Sequence, residues 1–501
     1  MALSEDDIIQ DNNISEDSEV QTKMKDQNKY AMTVLSVTTV GALLATIQGS
    51  ALLIVLPEMM VSLNMSFMTM LWVLLIYLMV TTVMVPVLGR LSDMFGRKKI
   101  YVLGFAVFTL GSLLCGFSGL GMNGWDLVGF RIIQAVGGSM LLANSMAMIT
   151  DAFRKGKLGF GLGVNGVAAS AGFVIGPVVG GILAPFGWEW VFFINVPIGL
   201  FGTLWAAHRL REPKWEVKEH KFDWVGTAAF LIGLSGVLMA FTYMSFGDPG
   251  MMTIVYIMSV VGVAGLAAFI FVELRSAYPM MDLRLFRERN YAVGNFTNLL
   301  NGLCIGAATF LLIFYFQGPC GMDALTAGIM LIPSGLPMMI VGPLSGRWSD
   351  KYGPKLLTTG GLALTTVSLA GLAFVDASTS LWLVGVLMVT MGIGGGMFMS
   401  PNASSVMAAV PPERRGIASG ARIMLRNTGT MFSLAIAFPL VLSGLNPEDM
   451  LHIFLGEGTG LVSSEAISAL VSGLQEAFII FAIISAVSVA VALMKPGRKT
   501  A

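Results

Sequence analysis

Three arginines, Arg131, Arg422 and Arg426, fall inside long apolar runs of a 501-residue chain in which only 12% of residues are charged. A guanidinium in such a run is costly unless it faces a protein interior or a water-filled cavity, so each is a candidate for binding a solute or balancing charge. Arg131 stands about 9 Å from the nearer end of its run at 1.5 Å per residue, and Gln134 lies one turn deeper on the same helical face. Arg422 is near enough to an end to snorkel, whereas Arg426, about 15 Å in, is harder to hide. Amides supply further polar points. Asn295, Asn298 and Asn301 recur every three residues in Y-A-V-G-N-F-T-N-L-L-N, a spacing that drifts slowly around one side of a helix. Asn165, Asn195 and Gln48 lie in other runs. Each amide can face a solute or tie one helix to another. Carboxylates stand only at the ends of runs, as Asp126, Glu189 and Asp223 do. Asp126 and Glu189, near the outer mouth, are candidate proton carriers or solvated helix ends.

These residues need a scaffold that lives in lipid. Hydrophobic residues make up 55% of the chain, and the charged fraction is about half the roughly 25% of soluble domains. A helix needs about 20 apolar residues to cross the hydrocarbon core. Fourteen runs qualify, at about 31–56, 66–88, 100–118, 125–150, 159–184, 188–208, 222–245, 251–273, 291–317, 325–346, 356–376, 380–402, 416–443 and 475–494. Of 30 Lys and Arg, 27 fall in the N-terminal tail, in alternate loops (90–99, 154–157, 209–221, 275–289, 347–355, 414–415) or at the C-terminus. The intervening loops hold acids such as Glu58, Asp248, Asp323, Asp376 and Glu448 but no Lys or Arg. By the positive-inside rule both termini are cytoplasmic and the number of spans is even. The expectation is a multi-pass protein of the plasma (inner) membrane, in contact with the lipid bilayer and acting as a monomer. Residues 1–29 are polar and acidic and are expected to form a disordered cytoplasmic tail. A net charge of zero gives no bias toward nucleic acid. Cys115, Cys304 and Cys320 have no metal-ligand spacing, and no phosphate-binding loop or appended soluble domain is present, so no metal, cofactor or enzymatic activity is expected.

The sequence also repeats. P-V-L-G-R-L-S-D-M-F-G-R-K at 86–98 and P-L-S-G-R-W-S-D-K-Y-G-P-K at 343–355 agree at seven of thirteen positions with an offset of 257. The same offset carries Gly137-Gly138-Ser139-Met140 onto Gly394-Gly395-Gly396-Met397, and Gly159 and Gly163 onto Gly416 and Gly420. Two homologous halves in parallel orientation follow, an arrangement used by transporters. The division is 30–210 for one six-helix bundle, 211–275 for two inserted transmembrane helices and 276–501 for a second six-helix bundle.

Residues 89–99, G-R-L-S-D-M-F-G-R-K-K, resemble the loop 2–3 signature of the major facilitator superfamily. D-L-V-G-F-R-I-I-Q-A-V-G-G (126–138), G-F-V-I-G-P-V-V-G-G (172–181), W-E-W-V-F-F-I-N-V-P-I-G (188–199) and F-D-W-V-G (222–226) are similar to motifs of its fourteen-helix drug:proton antiporter branch. The resemblance implies an all-α membrane protein with the major facilitator fold: two six-helix bundles plus two inserted helices, fourteen transmembrane helices in all. It implies a cytoplasmic latch at Gly89, Arg90, Asp93, Gly96 and Arg97, with a weaker copy at Gly346, Arg347 and Asp350. It implies an exchange-favouring helix 5 built on Gly172, Gly176, Pro177, Gly180 and Gly181. The implied activity is secondary-active export of small amphipathic compounds or drugs, by proton antiport with alternating access. The branch usually places an aspartate where Gln48 stands and an arginine where Glu189 stands. Glutamine bonds but does not titrate, which leaves open proton-independent exchange or import of an organic anion, and, more remotely, a membrane sensor that no longer transports. Buried arginines without a mid-membrane acid favour neutral, amphipathic or anionic solutes.

Overall fold

The structure, a computed structural model, describes residues 5–153, 158–212, 223–245, 249–276, 278–411, 414–442 and 464–495. Helices dominate, and no strand occurs among these residues. The first half comprises α1 (Glu5–Ser62), α2 (Phe67–Phe95), α3 (Arg97–Gly116), α4 (Trp125–Ala152), α5 (Leu158–Leu183) and α6 (Trp190–Arg209). The inserted pair is α7 (Trp224–Ser245) and α8 (Met252–Arg275). The second half comprises α9 (Arg289–Gln317), α10 (Ala324–Met330 and Ile332–Tyr352), α11 (Pro354–Leu372), α12 (Leu381–Ala408), α13 (Arg415–Leu442) and α14 (Ser464–Leu493). Twelve helices among the described residues are long and apolar enough to cross a membrane. With α5 and α13, of 26 and 28 residues, every expected span is matched by a helix.

Three boundaries differ from the sequence reading. Helix α1 reaches back to Glu5, so its backbone continues through the stretch expected to be disordered. Residues 1–29 contain no Gly or Pro to stop it, and acids near its start suit the positive end of the helix dipole. Helix α14 starts at Ser464 rather than 475, because Ala466, Leu470 and Leu474 recur at helical spacing and are buried. Helix α10 breaks at Leu331, two residues before Pro333, which offers no N–H to the turn before it.

Helix packing repeats with the sequence. In the first half α1 packs on α5 and α4, α4 on α2 and α3, and α3 on α6. In the second half α9 packs on α13 and α12, α12 on α10 and α11, and α11 on α14. Adding eight to each helix number converts one set into the other. The match holds at residue level. A Cβ on Gly137 would lie 2.2 Å from the Phe108 amide nitrogen and 2.9 Å from the Gly104 carbonyl; on Gly394 it would lie 2.6 Å from the Gly361 carbonyl and 2.9 Å from the Thr365 amide nitrogen. These are the same contacts, 257 residues on. Only a missing side chain lets two backbones approach so closely.

The halves meet along two seams, α2 against α13 and α5 against α10, which exchange under the same helix-number rule. At the end opposite the basic loops, a Cβ on Gly181 would lie 2.6 Å from Leu325 Cα, and one on Gly328 would lie 2.5 Å from the Pro177 carbonyl. Gln317 Nε2 donates to the Ile54 carbonyl at 3.3 Å across the halves at this same end. Helices α7 and α8 close on each other through Gly233, Gly236, Gly262 and Gly265. Helix α7 also touches both sides of the α2–α13 seam, with Ser235 Oγ 3.2 Å from Met79 Sδ and Phe241 5.9 Å from the Phe432 ring.

Gly137→Val would push a branched side chain into the α3 backbone. Its thermal unfolding midpoint in detergent should fall, reflecting about 1–3 kcal/mol of overpacking. Gly129→Ala, where a Cβ meets nothing within 4 Å, should unfold like the wild type.

Candidate functional site

The polar centre of the first half lies between α1, α2, α3, α4 and α6. Arg131 on α4 is 1% exposed. Its Nε donates to the Val73 carbonyl at 3.2 Å, and its Nη1 to Gln134 Oε1 at 2.9 Å. Gln134 Nε2 then donates to Ser112 Oγ on α3 at 2.8 Å. The guanidinium carbon sits 4.6 Å from the Tyr77 ring centroid and 6.0 Å from that of Phe192. No described carboxylate pairs with it. The charge is instead balanced by carbonyl and amide oxygens and by two ring faces, all desolvated together. The i,i+3 relation of Arg131 and Gln134 was readable in sequence; Tyr77, Phe192 and Ser112 were not, since three other helices deliver them.

Gln48, on α1, partners a residue other than Arg131. Its Oε1 accepts from Asn195 Nδ2 on α6 at 2.5 Å, and its Nε2 is buried without a hydrogen-bond partner. Asn195 also donates to the Val191 carbonyl at 3.2 Å. The amide pair Gln48–Asn195 and the guanidinium–amide pair Arg131–Gln134 are linked through α6, where Phe192, one turn before Asn195, lies beside Arg131.

The second half is less concentrated. Asn298 Nδ2 donates to the Arg422 carbonyl at 2.8 Å, tying α9 to α13. Asn295 Nδ2 bonds the Tyr291 carbonyl in its own helix at 3.1 Å, while its Oδ1 and Asn301 Nδ2 are buried without partners. Arg426 is half-buried and makes no ion pair among the described residues. Asn165 Nδ2 donates to Ser145 Oγ at 3.1 Å, and Ser145 Oγ to the Thr38 carbonyl at 3.2 Å, so this amide ties α5, α4 and α1 together. The sequence reading passed over Asn402 on α12. It donates to the Gly294 carbonyl at 3.0 Å and accepts from Lys495 Nζ at 2.8 Å. Lys495 had been read as an ordinary basic terminus; burial pushes its ammonium down to about 8.

The signature loops hold partners that spacing did not reveal. Arg97 pairs with Asp151 at the far end of α4, inside the first half. Arg90 spends both Nη atoms on the carbonyls of Tyr278 and Pro279. Gly96 takes φ +104°, a turn that favours glycine. The side chains of Asp93 and Asp350 lie outside the described residues. Arg347 is exposed, and a Cβ on Gly346 would meet Ser400 Oγ at 2.6 Å.

On α5, a Cβ at Gly172 would lie 2.0 Å from Thr46 Oγ1, at Gly176 2.0 Å from Ser50 Oγ, and at Gly180 2.4 Å from the Ala51 carbonyl. These glycines seat α5 on α1, while Gly181 and Pro177 face α10. The two acids at the end opposite the basic loops differ. Asp126 is buried, its Oδ2 accepting from Gly119 and Leu120 N–H at 2.7 and 2.8 Å, which holds the α3–α4 loop, and its Oδ1 from Leu127 N–H in the first turn of α4 at 2.9 Å. Glu189 is partly exposed beside Glu58.

Residues 38–434 match the family model of the Major Facilitator Superfamily. The chain belongs to that superfamily. It is a carrier, not an enzyme, and it resembles the drug:proton antiporters. The riboflavin transporter RibZ of Clostridioides difficile (strain 630) is 33% identical over 414 residues, covering 82% of this chain and 88% of that one. The multidrug transporter protein MdtP of Bacillus subtilis (strain 168) is 28% identical over 429 residues, covering 83% and 76%. The tetracenomycin C resistance and export protein of Streptomyces glaucescens is 26% identical over 417 residues, covering 82% and 76%. The fold is shared with a bacterial homologue of the lysosomal transporter Spinster (TM-score 0.63, 16% identity, 93% of this chain and 96% of that one).

Arg131→Lys keeps the charge of this carrier but loses the planar fork that serves Val73 and Gln134 together. Solute flux in proteoliposomes should fall at least about tenfold, the effect of a 1.4 kcal/mol loss. Flux equal to wild type would show that the guanidinium geometry is unused.

Proposed function

We propose that this chain is a secondary-active exporter of small amphipathic compounds, driven by proton antiport through alternating access. In this reading the basic loops face the cytoplasm of a plasma membrane, both termini lie there, and the carrier works as a monomer. Support comes from the antiporter glycines on α5, from the two symmetric seams, and from relatives whose names include multidrug transport and tetracenomycin C export.

The carrying observation is the buried Arg131–Gln134–Ser112 chain beside Gln48–Asn195, a polar centre with one cation and no carboxylate among its bonded groups. Such a centre receives hydrogen-bonding neutral or anionic groups, while Tyr77 and Phe192 offer apolar and π surface. It repels a lipophilic cation. A second reading, exchange or import of an organic anion, draws on the same arginine and on the relative named as a riboflavin transporter.

Proteoliposomes with an imposed pH gradient separate these readings. Antiport predicts flux of a neutral or anionic aromatic solute, riboflavin being the first probe, that disappears when the gradient is collapsed. Unchanged flux contradicts antiport and supports exchange. The direction of flux in inside-out vesicles distinguishes export from import. Strong, selective efflux of ethidium would contradict the assigned charge preference. Gln48→Asp should add little to gradient-driven flux if another group already carries the proton; a large gain would show that the wild type lacks a working coupling acid.

A further inference from the structure

Helix α13 carries Ser419, Arg422 and Arg426 at i, i+3 and i+7, along one side of the helix. Ser419 Oγ lies 3.7 Å from Met146 Sδ of α4, so this side looks across to the first half. The other sides of α13 are occupied. A Cβ on Gly429 would lie 3.0 Å from the Leu303 amide nitrogen of α9, and one on Gly420 3.7 Å from Pro86 of α2. Phe432 meets Phe241 of α7. The arginine-bearing side therefore lies between α9 and α2 and opens toward α4.

Arg422 and Arg426 stand one turn apart and are both half-buried. Protein groups bond their backbone carbonyls: Asn298 Nδ2 reaches that of Arg422 at 2.8 Å, and Thr430 Oγ1 that of Arg426 at 3.2 Å. Among the described residues no acceptor or carboxylate engages either guanidinium. Arg131 differs, since Val73 and Gln134 already take its donors. The next acid along α4 from Met146 is Asp151, which Arg97 occupies. Helix α9 adds another unspent donor. A Cβ on Gly302 would lie 3.2 Å from Arg426 Cγ, and its neighbour Asn301, 4% exposed, holds a buried Nδ2 without a hydrogen-bond partner. Two guanidiniums offer five N–H donors each in a fork that fits a carboxylate or phosphate.

We propose that Arg422 and Arg426 form an oxyanion-binding site that takes a carboxylate or phosphate group of the solute, with Asn301 as a supporting donor. Helix α13 runs away from the basic end and α4 runs toward it. From the Ser419–Met146 contact, Arg426 lies about 10 Å along α13 and Arg131 about 22 Å along α4. About 12 Å of helix rise separates the two arginines, room for a flat ring body between an oxyanion at α13 and the aromatic faces beside Arg131. The assignment to a solute rests on the carrier reading above; binding of an oxyanion at α13 requires neither antiport nor a direction of transport.

The test is equilibrium binding of 2-naphthoate and its neutral counterpart 2-naphthamide to the full chain in phosphatidylcholine nanodiscs. Naphthoate should bind about tenfold or more tightly than naphthamide, as bonds to charged groups require. Arg422→Gln and Arg426→Gln should each remove that preference and leave naphthamide binding unchanged. On the wild type, naphthoate but not naphthamide should protect both arginines from phenylglyoxal, mapped by mass spectrometry; this arm decides if the variants do not fold. Equal binding of the two probes, no binding of either, or a preference kept in both variants overturns the site. A phosphate could also come from lipid. With surface charge screened at about 0.5 M salt, naphthoate binding unchanged by added phosphatidylglycerol supports the solute, whereas its loss assigns the site to a lipid headgroup and overturns the solute assignment. Selective naphthoate binding beside gradient-insensitive flux would contradict antiport and leave this site standing; gradient-driven flux without the preference would do the opposite.

Discussion

Hydrocarbon offers no partner to a stray N–H, C=O or charge, and the arrangement of this carrier follows from that single constraint. Among the described residues, backbone groups are satisfied inside the helices α1 to α14. Side-chain charge is harder to accommodate. Arg131 is kept by a carbonyl, an amide oxygen and two aromatic faces, drawn from α2, α4 and α6. Because none of those partners is a carboxylate, the site keeps a net positive character, which in the proposed reading meets a solute carrying oxygen acceptors. The polar centre and the proposed solute preference both follow from one desolvated guanidinium.

The second consequence of lipid as solvent is that helices gain little from simple apolar contact, so close backbone packing carries the fold. Glycine supplies it at each level: Gly104 with Gly137 and Gly361 with Gly394 inside the halves, Gly172, Gly176 and Gly180 between α5 and α1, Gly181 and Gly328 across a seam. Contacts inside each half are extensive, whereas the halves touch along two pairs of helices related by the internal repeat. A molecule so divided has rigid bundles and two equivalent seams, the geometry that rocking requires. The inserted pair covers the α2–α13 seam, and residues 278–286, which follow it, touch both halves at the basic end.

Much of this was legible in the sequence. Hydropathy and the alternation of Lys and Arg mark the spans; the offset of 257 anticipates which contacts recur; Arg131 with Gln134 follows from helical spacing. What escaped was azimuth and distant pairing. Gln48 stands where the branch usually has an aspartate, yet each residue along a helix turns its side chain by about 100°, and Gln48 meets Asn195. Arg90, read as part of a cytoplasmic latch, also reaches carbonyls 188 and 189 positions away. Asp151 and Asn402 sit in helices whose apolar periodicity says nothing of a partner. Residues 5–29 look solvated by composition, but composition alone does not stop a helix without a Gly or Pro.

The central claim is that two bundles rock about the α5–α10 and α2–α13 seams. Distances between spin labels at Ile182 and Ile329, both exposed near the close α5–α10 contact, test it most directly. The account predicts two populations in liposomes, one short as in this structure and one longer, whose ratio shifts when a transported solute is added. A single distance under every condition would contradict it.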